Sequence, residues 1–270
     1  MKRLFILITA FVFVFASNAS AQNLQIGINA AQRGDYSTAI RELWPLADAG
    51  DAIAQYMRGV MYAEAAGVPQ DYEESVKWTR LAAEQGLPEA QYNLGVMYQN
   101  GTGVPQDYQE AKKLYLLAAE QGDAAAQNNL GALYRNGHGV LQDDKEGLRW
   151  YRLAAEQGYS PAQHNLGYAY HYGKGVPQDY QEAMEWYLLS AEQGNANAQA
   201  KLGTMYENGR GVLQDNVMAH MWYNISSANG LERAMEYRDM RTRMMTPKEV
   251  SKAQTMAREC MESDYKKCGY

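Results

Sequence analysis

The stretch from Ala90 to Gly122 reads AQYNLGVMYQNGTGVPQDYQEAKKLYLLAAEQG, and it recurs along the chain with a period of thirty-six residues. One glycine of this stretch recurs as Gly59, Gly95, Gly131, Gly167 and Gly203, and one tyrosine recurs as Tyr62, Tyr98, Tyr134, Tyr170 and Tyr206. A fixed period of this length is the signature of an array of small repeats, in which each unit buries its apolar faces against its neighbours. The sequence therefore predicts five 36-residue copies that span residues 54–233.

The spacing within one copy predicts two helices joined by a loop. Leu94, Met97 and Tyr98 lie at helical spacing around Gly95. A glycine inside a helix costs about 1 kcal/mol relative to alanine, so its recurrence predicts a partner helix that passes too close for a Cβ atom. The Asn-Gly pair that follows is typical of a helix C-terminus that ends on a residue in the left-handed conformation. The sequence thus predicts an all-α fold in which every copy is a helix–loop–helix hairpin.

A Gln-Asp pair precedes the second helix of every copy. The aspartates are Asp71, Asp107, Asp143, Asp179 and Asp215. Asp107 and Glu110 match a capping box, in which the aspartate accepts hydrogen bonds from early helix N–H groups and the glutamate side chain reaches back to the cap. The second helix then carries a small, a large and an aliphatic residue at helical spacing, as in Ala111, Leu114 and Leu117.

The first residues of the chain have the composition of an export signal. Lys2 and Arg3 precede an apolar core, and residues 19–21 (Ala-Ser-Ala) form a small-residue cleavage site. Residues 1–21 are therefore predicted to be a secretory signal peptide, too short for a membrane span, with the mature chain beginning at Gln22. No later stretch approaches the length of a spanning helix. The predicted location is periplasmic or secreted.

The repeats are flanked by irregular segments that we interpret as caps. Residues 22–53 align weakly with a copy and form a degenerate N-terminal capping repeat, whose helix Pro45 is expected to interrupt. Residues 234–270 form a C-terminal helical cap, with Pro247 at a first helical position. Cys260 and Cys268 are the only cysteines, and in an exported chain this pair is predicted to form a disulfide.

The charge balance argues against nucleic acid as a partner. The formal net charge is −6, and loss of the leader with its two basic residues changes it to −8. Basic residues exceed acidic ones only from Leu231 onward, by nine to seven, and they form no basic stripe.

The pattern AxxxLGxxYxxGxGVxQDxxxAxxWYxxAAExG resembles the Sel-one-like repeat family, which is related to tetratricopeptide repeats, and the chain looks like a bacterial exported member of it. The resemblance covers Ala54 to Gly230. It implies a right-handed α/α superhelical solenoid whose concave groove is lined by the first helices. It also implies an interaction scaffold that binds a protein or peptide partner in envelope, secretion or host-contact processes.

The tetratricopeptide resemblance also implies which side chains face that groove. Carried from copy to copy, it gives Tyr56, Tyr92, Gln99, Asn128, Arg135, His164, Tyr168, His171 and Tyr172 as candidate partner-binding residues. The fourth copy differs from the others because it places two histidines and two tyrosines along one helix face, a composition typical of interface anchors. The alternative is an ordinary solvated helix face that tolerates aromatic residues.

Other chemistry has weaker support in the sequence. His164 and His171 share one helix but lie about 10 Å apart along its axis, too far for one metal ion, so no metal site is predicted. Ser263 and Lys266 match the Ser-x-x-Lys motif of β-lactamases and penicillin-binding proteins, but no Lys-Thr-Gly partner follows. An envelope enzyme of that class is the alternative function. The preferred interpretation is a non-enzyme without a cofactor.

Overall fold

The computed structural model describes residues 18–266 and residue 268, which form fourteen α-helices and no β-strand. The helices are α1 Asn18–Gln32, α2 Tyr36–Asp48, α3 Ala52–Ala63, α4 Tyr72–Glu84, α5 Pro88–Asn100, α6 Tyr108–Glu120, α7 Ala124–Asn136, α8 Asp144–Glu156, α9 Ser160–Tyr172, α10 Tyr180–Ala191, α11 Ala196–Asn208, α12 Asn216–Ala228, α13 Glu232–Thr242 and α14 Pro247–Glu262. The all-α repeat fold predicted from the sequence is confirmed. Residues 1–17 of the predicted leader lie outside the described residues.

The chain divides into two compact units. One comprises residues up to Ala90 together with Thr102–Pro105, and the other comprises Gln91–Gly101 and the residues from Gln106 onward. In the first unit α1 packs on α2, α2 on α3 and α3 on α4. In the second unit, α7 packs on α8, α9 on α10 and α11 on α12 as hairpins, and α8 also packs on α9 and α10 on α11. These pairs are neighbours in the sequence, as expected for a repeat array.

The recurring glycine of the first helix is required by the second helix of the same hairpin. A Cβ atom added at Gly131 would lie 2.9 Å from the Gly147 carbonyl oxygen and 2.9 Å from the Tyr151 ring. At Gly95 the corresponding contact is the Tyr115 ring, at 2.7 Å. The predicted close approach of a partner helix is therefore confirmed, and a buried tyrosine fills the space that the missing side chain leaves.

The Gln-Asp pair connects the loop to both helices. The Asp107 carboxylate accepts hydrogen bonds from the N–H groups of Gln109 and Glu110, and the Gln106 side chain donates to the Gln99 carbonyl at the end of α5. The predicted capping box is wrong in one respect, because the glutamate side chain points forward. Glu110 pairs with Lys113. The reason is that the Asp107 N–H already donates to the Tyr98 carbonyl, at 2.9 Å.

A second set of hydrogen bonds links the end of each hairpin to its start. The Gln157 side-chain amide, just after α8, donates to the Gln127 side chain on α7, and Gln127 donates to the Ala119 carbonyl of the preceding hairpin. The same pairing recurs for Gln85 with Gln55, Gln121 with Gln91, Gln193 with Gln163 and Asn229 with Gln199. Because Gln127 is buried, these bonds satisfy amides that would otherwise be costly to bury.

The N-terminal segment departs from the expectation for Pro45. The helix α2 is not interrupted there and continues to Asp48, with Pro45 inside it. Pro45 lacks the backbone N–H that would donate to the Arg41 carbonyl four residues earlier. The helix continues because α2 packs on both α1 and α3, and the Pro45 carbonyl accepts from the Ala49 N–H.

The C-terminal helices cover the end of the second unit. Both α13 and α14 pack on α12, and Ile225 of α12 is fully buried with Ala257 and Cys260 of α14. The corresponding leucines of the other second helices, Leu81, Leu117, Leu153 and Leu189, remain about 40% exposed. Thr246 and Glu249 form a capping box at the start of α14, with Pro247 in its first turn as predicted. Cys260 and Cys268 are paired as a disulfide.

Candidate functional site

The nine candidate partner-binding residues all lie on first helices. They are Tyr56 on α3, Tyr92 and Gln99 on α5, Asn128 and Arg135 on α7, and His164, Tyr168, His171 and Tyr172 on α9. Tyr56 is buried in the first unit, and the other eight belong to the second. Asn128 and His171 are also buried, whereas Tyr172 is 43% exposed. The remaining five are partly buried.

A row of tyrosines from the second helices lies beneath these side chains. Its members are Tyr115, Tyr151, Tyr187 and Tyr223, all nearly inaccessible to solvent. We call them the floor tyrosines. The Tyr115 hydroxyl donates to Gln99 Oε1 at 3.0 Å, and the Tyr223 hydroxyl donates to Glu207 Oε2 at 2.5 Å. In these two copies a first-helix side chain therefore supplies the acceptor that a buried phenol requires.

The third and fourth copies lack that acceptor. Arg135 and His171 occupy the positions of Gln99 and Glu207. Within the described part of the chain, the Tyr151 and Tyr187 hydroxyls have no hydrogen-bond partner, and neither does His171 Nδ1. Burial raises the pKa of Tyr151 to about 12 and raises that of Tyr187 further, so both phenols remain protonated donors at neutral pH.

Above these two floor tyrosines, side chains of α7, α9 and α11 form one cluster. Its members are Arg135, His164, Tyr168, His171, Tyr172 and Lys201, and we call it the aromatic–cation cluster. The Tyr168 and Tyr172 ring centroids are 4.4 Å apart. Arg135 Cζ and Lys201 Nζ lie 5.5 and 5.8 Å from the Tyr168 centroid, within cation–π range. Lys201 Nζ is also 3.2 Å from the Tyr172 hydroxyl.

Both histidines of the cluster are neutral at physiological pH. Burial, together with the nearby positive charges of Lys201 and Arg135, lowers the pKa of His164 to about 4. Burial lowers the pKa of His171 to about 4 as well, with contributions from Lys201 and Arg210. His171 Nε2 lies 3.3 Å from Arg210 Nη1, an arrangement in which the neutral ring accepts a hydrogen bond from the guanidinium.

Sequence reasoning missed Lys201, Arg210 and the floor tyrosines. Lys201 occupies the repeat position of Asn129 and Asn165, so a departure from a recurring asparagine could have identified it. The floor tyrosines recur at the period of the repeat, one residue after the large residue of the second helix. Their relation to the first helices becomes visible only when the two helices of a hairpin pack.

The enzyme alternative receives no support from the geometry. The Ser263 hydroxyl donates to the Cys260 carbonyl at 2.8 Å, and Lys266 is exposed. The two intervening residues, Asp264 and Tyr265, both adopt positive φ, so the chain turns sharply here. The motif is thus part of the turn that closes the disulfide loop. Across residues 18–266 and 268, no group of three or more His, Cys, Asp or Glu side chains could hold a metal ion.

Within the same described ranges, none of the helices combines the length and the apolar character required to cross a membrane.

The Sel1 repeat pattern matches the chain at residues 52–87, 88–123, 124–159, 160–195 and 196–231. A Sel1 repeat protein from Oxalobacter formigenes has a similar structure, with 35% sequence identity and a TM-score of 0.76 over 88% of this chain and 99% of that one. An immunity protein from Pseudomonas aeruginosa shares the fold at 23% identity and a TM-score of 0.50, over 80% of this chain and 83% of that one. A search of curated proteins returned no match. On the five repeat matches and the similarity to the Oxalobacter protein, this chain belongs to the Sel1 repeat family.

Proposed function

We propose that this protein is an exported scaffold that binds a protein or peptide partner on the first-helix face of its repeats. Sel1 repeat folds are generally scaffolds for protein–protein interaction and typically not catalytic. The observation that carries the proposal is the aromatic–cation cluster. Tyr172 is exposed and Tyr168 partly so, at positions whose residue type changes from copy to copy. Partly exposed aromatic and basic side chains on a rigid helix pair are typical anchors of protein interfaces.

Export is supported by two features of the chain. Residues 1–21 have the composition of a signal peptide. The pairing of Cys260 with Cys268 suits an oxidising compartment, because intracellular thiols are usually kept reduced. Cell fractionation followed by intact-mass measurement tests this part. A mature chain that begins at Gln22 supports export, whereas a cytoplasmic pool that retains Met1 contradicts it.

The binding proposal is tested with a surface variant. The double substitution Tyr168→Ala and Tyr172→Ala removes both rings, and affinity capture from envelope extract is compared with the unaltered protein. A protein captured in stoichiometric amount should be lost from the variant, with its affinity lowered by about 2 kcal/mol or more when measured calorimetrically. The control is Leu117→Ala with Leu153→Ala, which truncates similarly exposed side chains on second helices.

The control variant should retain the partner, and both variants should melt near the unaltered protein. Equal loss of partner from the two variants would contradict a first-helix site. A Tyr168/Tyr172 variant that loses its helical structure would identify these rings as packing residues and would also contradict the proposal.

A further inference from the structure

The aromatic–cation cluster and the adjacent loop hold three cations without a carboxylate partner. Arg135, Lys201 and Arg210 belong to no ion pair within the described residues. The Arg135 guanidinium hydrogen-bonds to a neutral side chain, Asn136, and lies over two tyrosine rings. Lys201 and Arg210 contact rings and neutral acceptors as well. In a chain with a formal net charge of −6, this is a local excess of positive charge.

The same surface has an excess of hydrogen-bond donors. The Tyr151 and Tyr187 hydroxyls have no acceptor among the described residues, and they lie below Arg135 and His171. Arginine and lysine offer only protons for a new contact, and each phenol without a partner offers its O–H as well. A ligand that satisfies this surface must therefore supply acceptors, and electrostatics favours acceptors that carry negative charge.

The fifth copy shows which group satisfies this arrangement. There Glu207 occupies the position of Arg135 and His171, and its carboxylate accepts from the Tyr223 hydroxyl. The same carboxylate pairs with Arg241 of α13, at 2.9 Å. One carboxylate thus joins a floor tyrosine to an arginine. The third and fourth copies contain the floor tyrosine but carry Arg135 and His171, not a carboxylate, at the Glu207 position, and the cations around them come from copies three and five.

We propose that the partner recognised here is an acidic peptide segment, whose side-chain carboxylates take the place in copies three and four that Glu207 takes in copy five. Arg135, Lys201 and Arg210 pair with these carboxylates, and Tyr168 and Tyr172 contact the apolar parts of the segment. The Arg135 side chain must move aside for a carboxylate to reach the Tyr151 hydroxyl. This inference rests on the proposed scaffold function and adds the chemistry of the partner.

The test uses a defined peptide and the full mature protein. Packed helices lie about 8–10 Å apart, a distance that an extended chain covers in about three residues. The probe is therefore a fluorescein-labelled, C-terminally amidated dodecapeptide of Glu-Ser-Leu repeats. A Gln-Ser-Leu peptide is the neutral comparison, and a Gln-Ser-Leu peptide with a free C-terminus tests the other source of a carboxylate. Binding is followed by fluorescence anisotropy at about 50 mM and 500 mM salt, since salt screens exposed charges.

The expected result is binding of the acidic peptide at least about tenfold tighter than of either neutral peptide, with most of this preference lost at the higher salt concentration. Arg135→Gln with Lys201→Gln should remove the preference, while Lys145→Gln, which neutralises an exposed lysine of α8, should leave it unchanged. Circular dichroism checks that each variant is folded.

Equal binding of the peptides, tighter binding of the free C-terminus, or no binding of the acidic peptide at about 1 mM overturns the inference. So does a folded Arg135/Lys201 variant that keeps the preference. Failure of the scaffold proposal is recognised separately, because that proposal requires capture that depends on Tyr168 and Tyr172. If the protein still captures a partner through Tyr168 and Tyr172 but does not bind the acidic peptide, the scaffold proposal stands and only the chemistry of the partner is wrong.

Discussion

At the scale of single residues, the fourth copy combines two structural roles on one helix. Tyr168 and Tyr172 reach solvent, whereas His171 is 1% exposed and its ring lies at an angle against those of Tyr172, Tyr180 and Tyr187. His171 is thus a packing residue that supports the exposed rings. Substituting it would disturb the floor of the cluster as well as its surface, which is why the binding test uses the two tyrosines.

The two histidines predict how stability depends on pH. Their pKa values are about 4 in the folded chain and about 6.5 when unfolded. Between these values the unfolded chain binds protons that the folded chain does not, so stability falls as the pH is lowered. From pH 7 to pH 5, the loss should be on the order of 1–2 kcal/mol for each histidine.

The check is the free energy of unfolding in urea at pH 7 and pH 5. His164→Asn and His171→Gln place in copy four the residues that copies three and two carry there, Asn128 and Gln99. The double variant should lose less stability on acidification than the unaltered protein, and His138 and His220 remain in both chains. An unchanged pH dependence would show that these imidazoles are not held neutral by the fold.

At the scale of helices, a hairpin depends on how closely its two helices approach. Gly131 and Gly147 face each other across α7 and α8, and a Cβ atom on either one would lie 2.9 Å from the carbonyl oxygen of the other. In an isolated helix alanine is favoured over glycine by about 1 kcal/mol. Here the steric contact with backbone atoms opposes that preference, because the helices must separate to admit a methyl group.

Gly131→Ala should therefore lower the free energy of unfolding, by about 1–3 kcal/mol. Gly95→Ala should cost less, because there the nearest backbone atom is 3.4 Å away and the contact within 3 Å is with the Tyr115 ring. Urea unfolding followed by circular dichroism measures both, with Lys145→Ala on the exposed side of α8 as a control. Stabilisation by Gly131→Ala would mean that the two helices are not held at this distance in solution.

At the scale of the whole molecule, the array must end without leaving an apolar face in water. In the second unit α13 and α14 serve this purpose, and the disulfide-closed turn adds a contact through Tyr265, whose hydroxyl donates to Asn229 at the end of α12. Gly194 at the end of α10 lies against the same tyrosine ring. The disulfide loop therefore stabilises the packing of the cap on two preceding helices.

Reduction of the disulfide should lower the free energy of unfolding by about 2–3 kcal/mol, because the open chain gains conformational entropy when it unfolds. Urea unfolding with and without reductant measures this difference. The matched control, Cys260→Ala with Cys268→Ala, should unfold at the same urea concentration under both conditions. Thiol labelling of the denatured, unreduced protein should find no free cysteine, and two reactive thiols would contradict the pairing.

The sequence by itself determined the elements that depend on local chemistry. The thirty-six-residue period, the aspartate caps and the glycines after each helix place every hairpin, because each signal acts within a few residues of the backbone that it shapes. Two positions depart from these local rules. Ala65 stands where the other copies carry glycine, and it adopts the left-handed conformation nonetheless, with φ of 54°. Pro45 likewise stays within its helix, because packing on the neighbouring helices overrides a local preference.

The tertiary structure alone decided which side chains meet. Arg135, Tyr168 and Lys201 come from three different copies, and they converge because three first helices lie side by side in the second unit. Three of the capping-box glutamates (Glu74, Glu110 and Glu146) pair forward with a basic residue, because the aspartate N–H that they would accept from already donates to a tyrosine carbonyl one helix earlier. The Tyr151 and Tyr187 hydroxyls have no hydrogen-bond partner among the described residues. Their position below Arg135 and His171 is set only when the two helices of a hairpin pack together. Periodicity fixes where each residue stands along the chain, but contacts between residues more than thirty positions apart arise only from the packing of one copy on the next.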